Sequence, residues 1–229
     1  CYENGYDPDS NDASQSMRAA VSRFFEDSTP ENAPHAGLIC NWQPQKRTEV
    51  AQTITLIATG SKKNPSFTIA DEGEGQTPDS MPDTLLSLAK SNKMRIPFVQ
   101  GRFNMGGTGV FKFCGQRKLQ LVISKRNPSA IKEYIQDATK WGFTIVRREN
   151  PERGRRSSVF TYLAPLGKAE LPGKGGHRSQ EGELCPLFPN FMSGVRQPFG
   201  RMAKWGTLIK LFEYALPAGG RSNILMADG

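Results

Sequence analysis

The chain has little of what would mark a secreted, metal-bound or membrane-spanning protein. Its four cysteines, Cys1, Cys40, Cys114 and Cys185, are scattered, with no C-x-x-C pair. That spacing argues against a zinc site or a disulfide frame and favours isolated thiols in a reducing cytosol. No apolar run approaches the ~18 residues of a membrane-crossing helix, and no signal peptide is visible. Only two histidines occur, His35 and His177, neither in a signature for a phospho-accepting histidine. Both read as loop residues. A phosphate-binding lysine is also missing from a near P-loop: in Gly101-Arg102-Phe103-Asn104-Met105-Gly106-Gly107-Thr108, Gly107 stands where G-x-x-x-x-G-K-[ST] has its lysine. The stretch alone leaves three readings open: a damaged P-loop, a flexible glycine hinge, or a phosphate cradle of another design.

What is present fits a globular chain. Across 229 residues the hydrophobic share is 37%, with 13 Phe and 3 Trp, so a packed core is expected rather than disorder. Trp42, Trp141 and Trp205 read as packing aromatics, not base-stacking platforms. Lysine and arginine total 30 against 22 acids, a net charge of +8, which favours a polyanionic partner: a nucleotide triphosphate or nucleic acid. Much of the excess lies in short runs, Arg147-Arg148, Arg153 to Arg156 and Lys174 to Arg178, which read first as solvated loops. The chain opens on Cys1 and stops at "NILMADG", so it is expected to be a piece of a longer protein.

Periodicity gives a coarse element order. Residues 1–13 read as a loop, and "SQSMRAAVSRFFED" as a helix with Met17, Ala20, Val21 and Phe24 on one side. "TEVAQTITLIATG" and "SFTIADEGEG" read as a strand hairpin around Gly60 to Pro65, with Ile54 and Leu56 on one face. "PDTLLSLAKSNK" suggests a short helix and "KLQLVISKR" a strand. "NPSAIKEYIQDATKWG" suggests a helix capped by Ser129, with Ile131, Ile135, Ala138 and Trp141 along one side and Gly142 at its end. Strands "FTIVRRE", "SSVFTYLAP" and "GTLIKLFEYAL" complete the order, with residues 165–205 as a long insertion before the last. Strands that follow one another as hairpins predict an α+β fold: a mixed, mostly antiparallel sheet with helices on one face. The same order argues against a doubly wound P-loop domain.

Three pieces carry chemistry. Asp71-Glu72-Gly73-Glu74-Gly75 sits at the mouth of a strand, where an acceptor-only carboxylate suits an exocyclic amine and glycines let a flat ligand approach the backbone. About thirty residues on, Gly101, Gly106, Gly107 and Gly109 precede "VFKFCG", which can continue as a helix whose N–H groups would hold phosphate oxygens. Gly206-Thr207 opens the final strand, where a hydroxyl and an N–H can reach a ligand over the sheet.

In this order the three pieces resemble the GHKL ATPases: DNA gyrase, the large heat-shock chaperones, histidine kinases and the mismatch-repair ATPases. The resemblance covers residues 50–125 and, by one short motif, 206–214. It implies a two-layer Bergerat-type domain over residues 1–229, with Asp71 recognising the adenine amine and Gly73 and Gly75 making room for the base. It implies that Gly101, Asn104, Gly106, Gly107, Thr108 and Gly109 wrap the phosphates and that Thr207 supports the adenine side. Residues 76–100 would form a lid, within which "AKSNK" places Lys93 near the phosphates. ATP is then the expected ligand, with Mg²⁺ in the complete protein, a nucleotide-dependent homodimer and nucleic acid as further partners, and no membrane. The family's catalytic glutamate and Mg²⁺-binding asparagine precede these pieces on a helix. Here the only upstream helix offers Glu26 at its far end and no asparagine, so that box is expected before Cys1. The alternatives are a basic nucleic-acid-binding module and a catalytically inactive nucleotide-binding domain.

Overall fold

The computed structural model describes residues 13–26, 34–78, 80–81, 84, 105–131, 138–150, 154, 158–163, 178–180 and 203–224. Among these, helix α1 spans Met17–Phe25, α2 Pro44–Ala51 and the five-residue α3 Met105–Gly109. The strands are β1 (Ile54–Gly60), β2 (Pro65–Asp71), β3 (Leu119–Lys125), β4 (Trp141–Glu149), β5 (Val159–Leu163), β6 (Arg178–Gln180) and β7 (Gly206–Leu211).

The fold is α+β, built on one sheet in the order β1-β2-β7-β3-β4-β5, with β6 also pairing β4. Every pairing among the described strands is antiparallel, in line with the mostly antiparallel sheet expected, and no parallel pair occurs among them. β7, the last of the described strands, lies between β2 and β3 and joins the two hairpin systems.

Paired residues share a face, so the register sorts the core. On one face Ala70, Leu208 and Ile123 stand in a row across β2, β7 and β3 and pack with Trp141 of β4. On the other, Val122 and Val146 pack with Met81 and Phe111, and Phe160 closes the cluster edge-on against Phe111 with ring centroids 5.2 Å apart. Each face therefore carries a core cluster, so the sheet is not covered on one side only. Gly142 on β4 makes the second cluster possible: a Cβ there would stand 2.6 Å from Met81 Sδ and 3.0 Å from Pro78 Cα.

Several local expectations change. α1 forms where its periodicity places it, but Ser16 is the cap, its Oγ accepting from Ala19 N at 3.1 Å, and Met17 points to solvent at 60% exposure. The segment before Ile54, expected as strand, is helix α2: Pro44 at its first turn presets the helical φ, and Thr48 and Val50 are the β-branched residues within it, whereas Thr53, Ile54 and Thr55 follow one another where the strand begins. The helix expected over "NPSAIKEYIQDATKWG" is described only at its ends. Pro128–Ala130 is a single tight turn capped by Asn127, not Ser129, and Trp141 with Gly142 opens β4. Burial of Trp141 against the sheet's own row decides its strand state over helical spacing. β6 lies inside the stretch read as an insertion.

Candidate functional site

One end of the sheet gathers two of the three sequence pieces. The register pairs Asp71 with Thr207, and Thr207 with Ser124, and Ser124 with Gly142, a row of four across β2, β7, β3 and β4. Asp71, Thr207 and Ser124 thus project from one face. Ser124, fully buried, is the node. Its Oγ accepts from Gln76 N at 2.9 Å, donates to Gly206 O at 3.0 Å and lies 2.9 Å from Thr207 Oγ1. When the one Ser124 proton is on Gly206 O, the Thr207 hydroxyl is the donor of the bond between them.

The loop after β2 is tied down at each residue. Asp71 Oδ1 accepts from Gly73 N at 3.0 Å, Glu72 N donates to Thr53 O at 2.9 Å, and Asn127 N donates to Glu74 O at 2.8 Å. The Arg126 guanidinium pairs with the Glu74 carboxylate and reaches Gly75 O at 3.3 Å. Two glycines are required by this geometry. Gly75 has φ +66° and a Cβ there would meet Lys125 O at 1.9 Å; Gly206 has φ +122° and a Cβ there would meet Asp71 O at 2.1 Å. The start of the expected lid is built into the fold: Gln76 bonds Ser124, and Thr77, Pro78 and Met81 are buried.

The glycines of the expected phosphate box behave differently. Gly106, Gly107 and Gly109 are exposed in α3, none has positive φ, and among the described residues no atom beyond their own helical turn lies within 4 Å of where their Cβ atoms would stand. A glycine in a helix interior costs roughly 0.5–1 kcal/mol relative to alanine. Nothing within the described chain asks for glycine at these positions. Thr108 shares the helix backbone, while Gly101, Asn104 and Lys93 fall outside the described residues. α3 runs into the tight turn Val110–Phe113, which sends Phe111 into the core.

Glu26 is occupied elsewhere. Its carboxylate accepts from Gly37 N at 2.9 Å and Trp42 Nε1 at 2.7 Å, bonds that hold its pKa below the usual carboxylate value. It closes the corner between α1 and α2, where Lys46 bonds Phe25 O and lies over the Trp42 ring. A carboxylate so engaged is a poor general base. His35 is exposed, Trp42 and Trp141 are buried, and His177 lies outside the described residues. Among the described residues no group of three His, Cys, Asp or Glu side chains could hold a metal ion, and no helix is long and apolar enough to cross a membrane.

Cys114 follows α3 and differs from Cys40 in a testable way. Cys114 is buried with its thiol 3.3 Å from Val110 O, and burial pushes its pKa up to about 11; Cys40 is exposed. Because the folded pKa lies above the unfolded value, the neutral thiol's contribution is complete below pH ~9 and is lost as pH rises toward 11. Urea midpoints are expected to fall between pH 9 and 11 in the wild type and less so in Cys114→Ala. Iodoacetamide at pH 8 is expected to label Cys40 first.

Of this site, Asp71, the loop glycines and Thr207 were singled out from the sequence; Ser124 was not. Its signal was a small polar residue inside the apolar run "LQLVIS", since a buried polar group is the informative exception in a strand. No protein-family model and no curated protein matches the chain.

Proposed function

We propose that this chain binds ATP as the nucleotide-recognition part of a GHKL-type ATPase with a Bergerat-type fold. The observation that carries the reading is the Asp71–Thr207 pairing: the acid of the Asp-x-Gly-x-Gly box and the hydroxyl of the Gly-Thr strand are cross-strand neighbours on one face. Asp71 would accept from the adenine amine, and the Thr207 hydroxyl would bond the base directly or through a bridging water. Gly73 and Gly75 keep the loop low beside the base, the second by adopting a left-handed backbone that brings it against Lys125. Gly106, Gly107 and Gly109 leave α3 bare on its exposed side, which suits close approach of phosphate oxygens to the backbone. Mg²⁺ would supply charge neutralisation on the phosphates in the complete protein.

Binding and hydrolysis separate here. Hydrolysis needs a positioned base and a metal ligand, and Glu26 is engaged by Gly37 and Trp42. The activity assigned to these residues is therefore recognition of the nucleotide.

Asp71→Asn tests the assignment cleanly. Asparagine keeps an oxygen for Gly73 N–H, so the turn survives, but it removes the charge that faces the amine. A hydrogen bond to a charged group contributes about 1.5–3 kcal/mol, so ATP affinity is expected to fall roughly 10- to 150-fold by calorimetric titration. GTP, which offers a carbonyl where adenine offers an amine, is expected to bind weakly to the wild type. Equal ATP affinities for Asp71→Asn and wild type would sink the adenine assignment.

A further inference from the structure

The opposite end of the sheet has a chemistry of its own. There the β1–β2 turn, the end of β7, the turn into β3 and the end of β4 line up side by side. Two grooves open on this edge. One, of about 760 Å³, is lined by Gly60, Ser61, Asn64, Gly115, Gln116 and Glu213 among others. The second, of about 510 Å³, is lined by Gln116, Arg117, Lys118, Arg147, Arg148 and Glu149 among others. Gln116 borders both, so the two grooves adjoin there as a divided trough along the sheet edge.

The cations line the second groove and flank the first, whose own described lining carries none. Exposed Lys62 and Lys63 sit in the β1–β2 turn at one end, Arg117 and Lys118 in the middle, and Arg147 and Arg148 at the other end. Against these stand Glu213 and Glu149. The Glu149 carboxylate is held below its ordinary pKa by the Arg147 guanidinium, so this pair is neutral together. Lys118 donates to Asn150 Oδ1 at 2.6 Å, which fixes its ammonium at the groove wall. From β1 to β4 is four strand spacings, about 19 Å at roughly 4.8 Å each. One nucleic-acid strand carries a phosphate about every 3.4 Å, so about five phosphates span the same distance. Among the described residues no aromatic side chain lines either groove, so base stacking has no platform here.

We infer that this trough binds the phosphodiester backbone of a nucleic acid, without regard to sequence. The inference is independent of the ATP reading, because the trough and Asp71 lie at opposite ends of β2 and the cations named here take no part in the adenine or phosphate contacts. A linear polyanion with evenly spaced charges fits a row of cations in turns at one sheet edge. A membrane surface would instead call for apolar side chains beside the cations, and Leu119 and Ala215 are the apolar ones lining the trough.

The test is fluorescence polarisation of labelled 20-residue duplex DNA, single-stranded DNA and duplex RNA, with the chain as it stands. Nonspecific binding is expected in the micromolar range at 50 mM salt, alike for unrelated sequences. Log affinity should fall with log salt at a slope of roughly −3 to −5 for four to five phosphates. Arg117→Gln with Arg148→Gln should weaken binding at least about tenfold at 50 mM salt and reduce the slope by about 2. Glu149→Gln, which removes a negative charge, should tighten it. Melting temperatures equal to wild type establish that these surface variants are folded. Asp71→Asn should leave nucleic-acid affinity unchanged whatever it does to ATP. Wild-type affinity and slope in the double arginine variant would overturn the assignment of the trough. So would binding to phosphatidylserine vesicles with no binding to any of the three nucleic acids, or no binding to any of them at 50 mM salt.

Discussion

Gly206→Ala is expected to lower stability by about 4 kcal/mol or more, enough to drop the melting temperature by roughly 8–16 °C in a chain of this size. Two costs combine. At φ +122° an L-residue is in territory open almost only to glycine, and the added Cβ would stand 2.1 Å from Asp71 O. The obstructing atom is backbone, so no rotamer change relieves it. Either β7 moves away from β2, losing the Asp71–Thr207 pairing, or the end of β2 bends. Gly75→Ala meets the same kind of wall at Lys125 O, 1.9 Å away. Gly107→Ala provides the contrast: with helical backbone and open space around it, it should leave stability within about 1 kcal/mol of wild type or raise it. Differential scanning calorimetry of the three variants checks the division. A Gly206→Ala protein melting with the wild type would show that the strand entrance is not built as described.

Trp141→Ala is expected to cost about 3–5 kcal/mol, the range for removing a large buried aromatic. The indole is 1% exposed and packs with Ala70, Ile123 and Leu208, while the Lys125 ammonium lies 5.9 Å from its ring centroid. Ala70 and Leu208 are the immediate neighbours of Asp71 and Thr207, on the reverse face of the same two strands. The substitution therefore opens a cavity directly behind the candidate site. ATP affinity should fall along with the denaturation midpoint, whereas Ile54→Ala, at a residue 65% exposed, should change stability by less than about 0.5 kcal/mol. Chemical denaturation of both variants, with and without ATP, separates the two cases. A Trp141→Ala midpoint within error of wild type would contradict the packing.

The strands that bear on the site were legible because their patterns are local. "TITLIATG", "SFTIAD", "KLQLVIS" and "GTLIKL" carry β-branched residues between turn residues, and the structure places strands on them. Glycines at 75 and 206 were legible as types but not as requirements, since their positive φ arises from a backbone approach between distant segments. The strand order was out of reach for the same reason. Nothing in "GTLIKL" states that it will stand between β2 and β3. Trp141 was misassigned because helical spacing from Ile131 suggested a helix face, while its burial against Ile123 and Leu208 is a tertiary fact. Ser124 was passed over because one hydroxyl in an apolar run has many bland explanations until its three partners are seen. Glu26 stands at the far end of its helix with no asparagine, which already argues against the catalytic box, and its bonds to Gly37 and Trp42 are tertiary facts.

The central position of β7 has a consequence for the order of events during synthesis. The β1–β2 hairpin and the β3–β4–β5 meander can each form from local contacts as the chain emerges, but no described pairing joins one to the other. Their strands become one sheet when Gly206–Leu211 arrives and inserts between them, pairing with Phe67–Asp71 from more than 130 positions away and with Gln120–Lys125 from more than 80. Such late, long-range closure makes folding slow. Until it happens, two strand edges stand open to any other chain nearby. On the ribosome, these two parts of the sheet wait for β7.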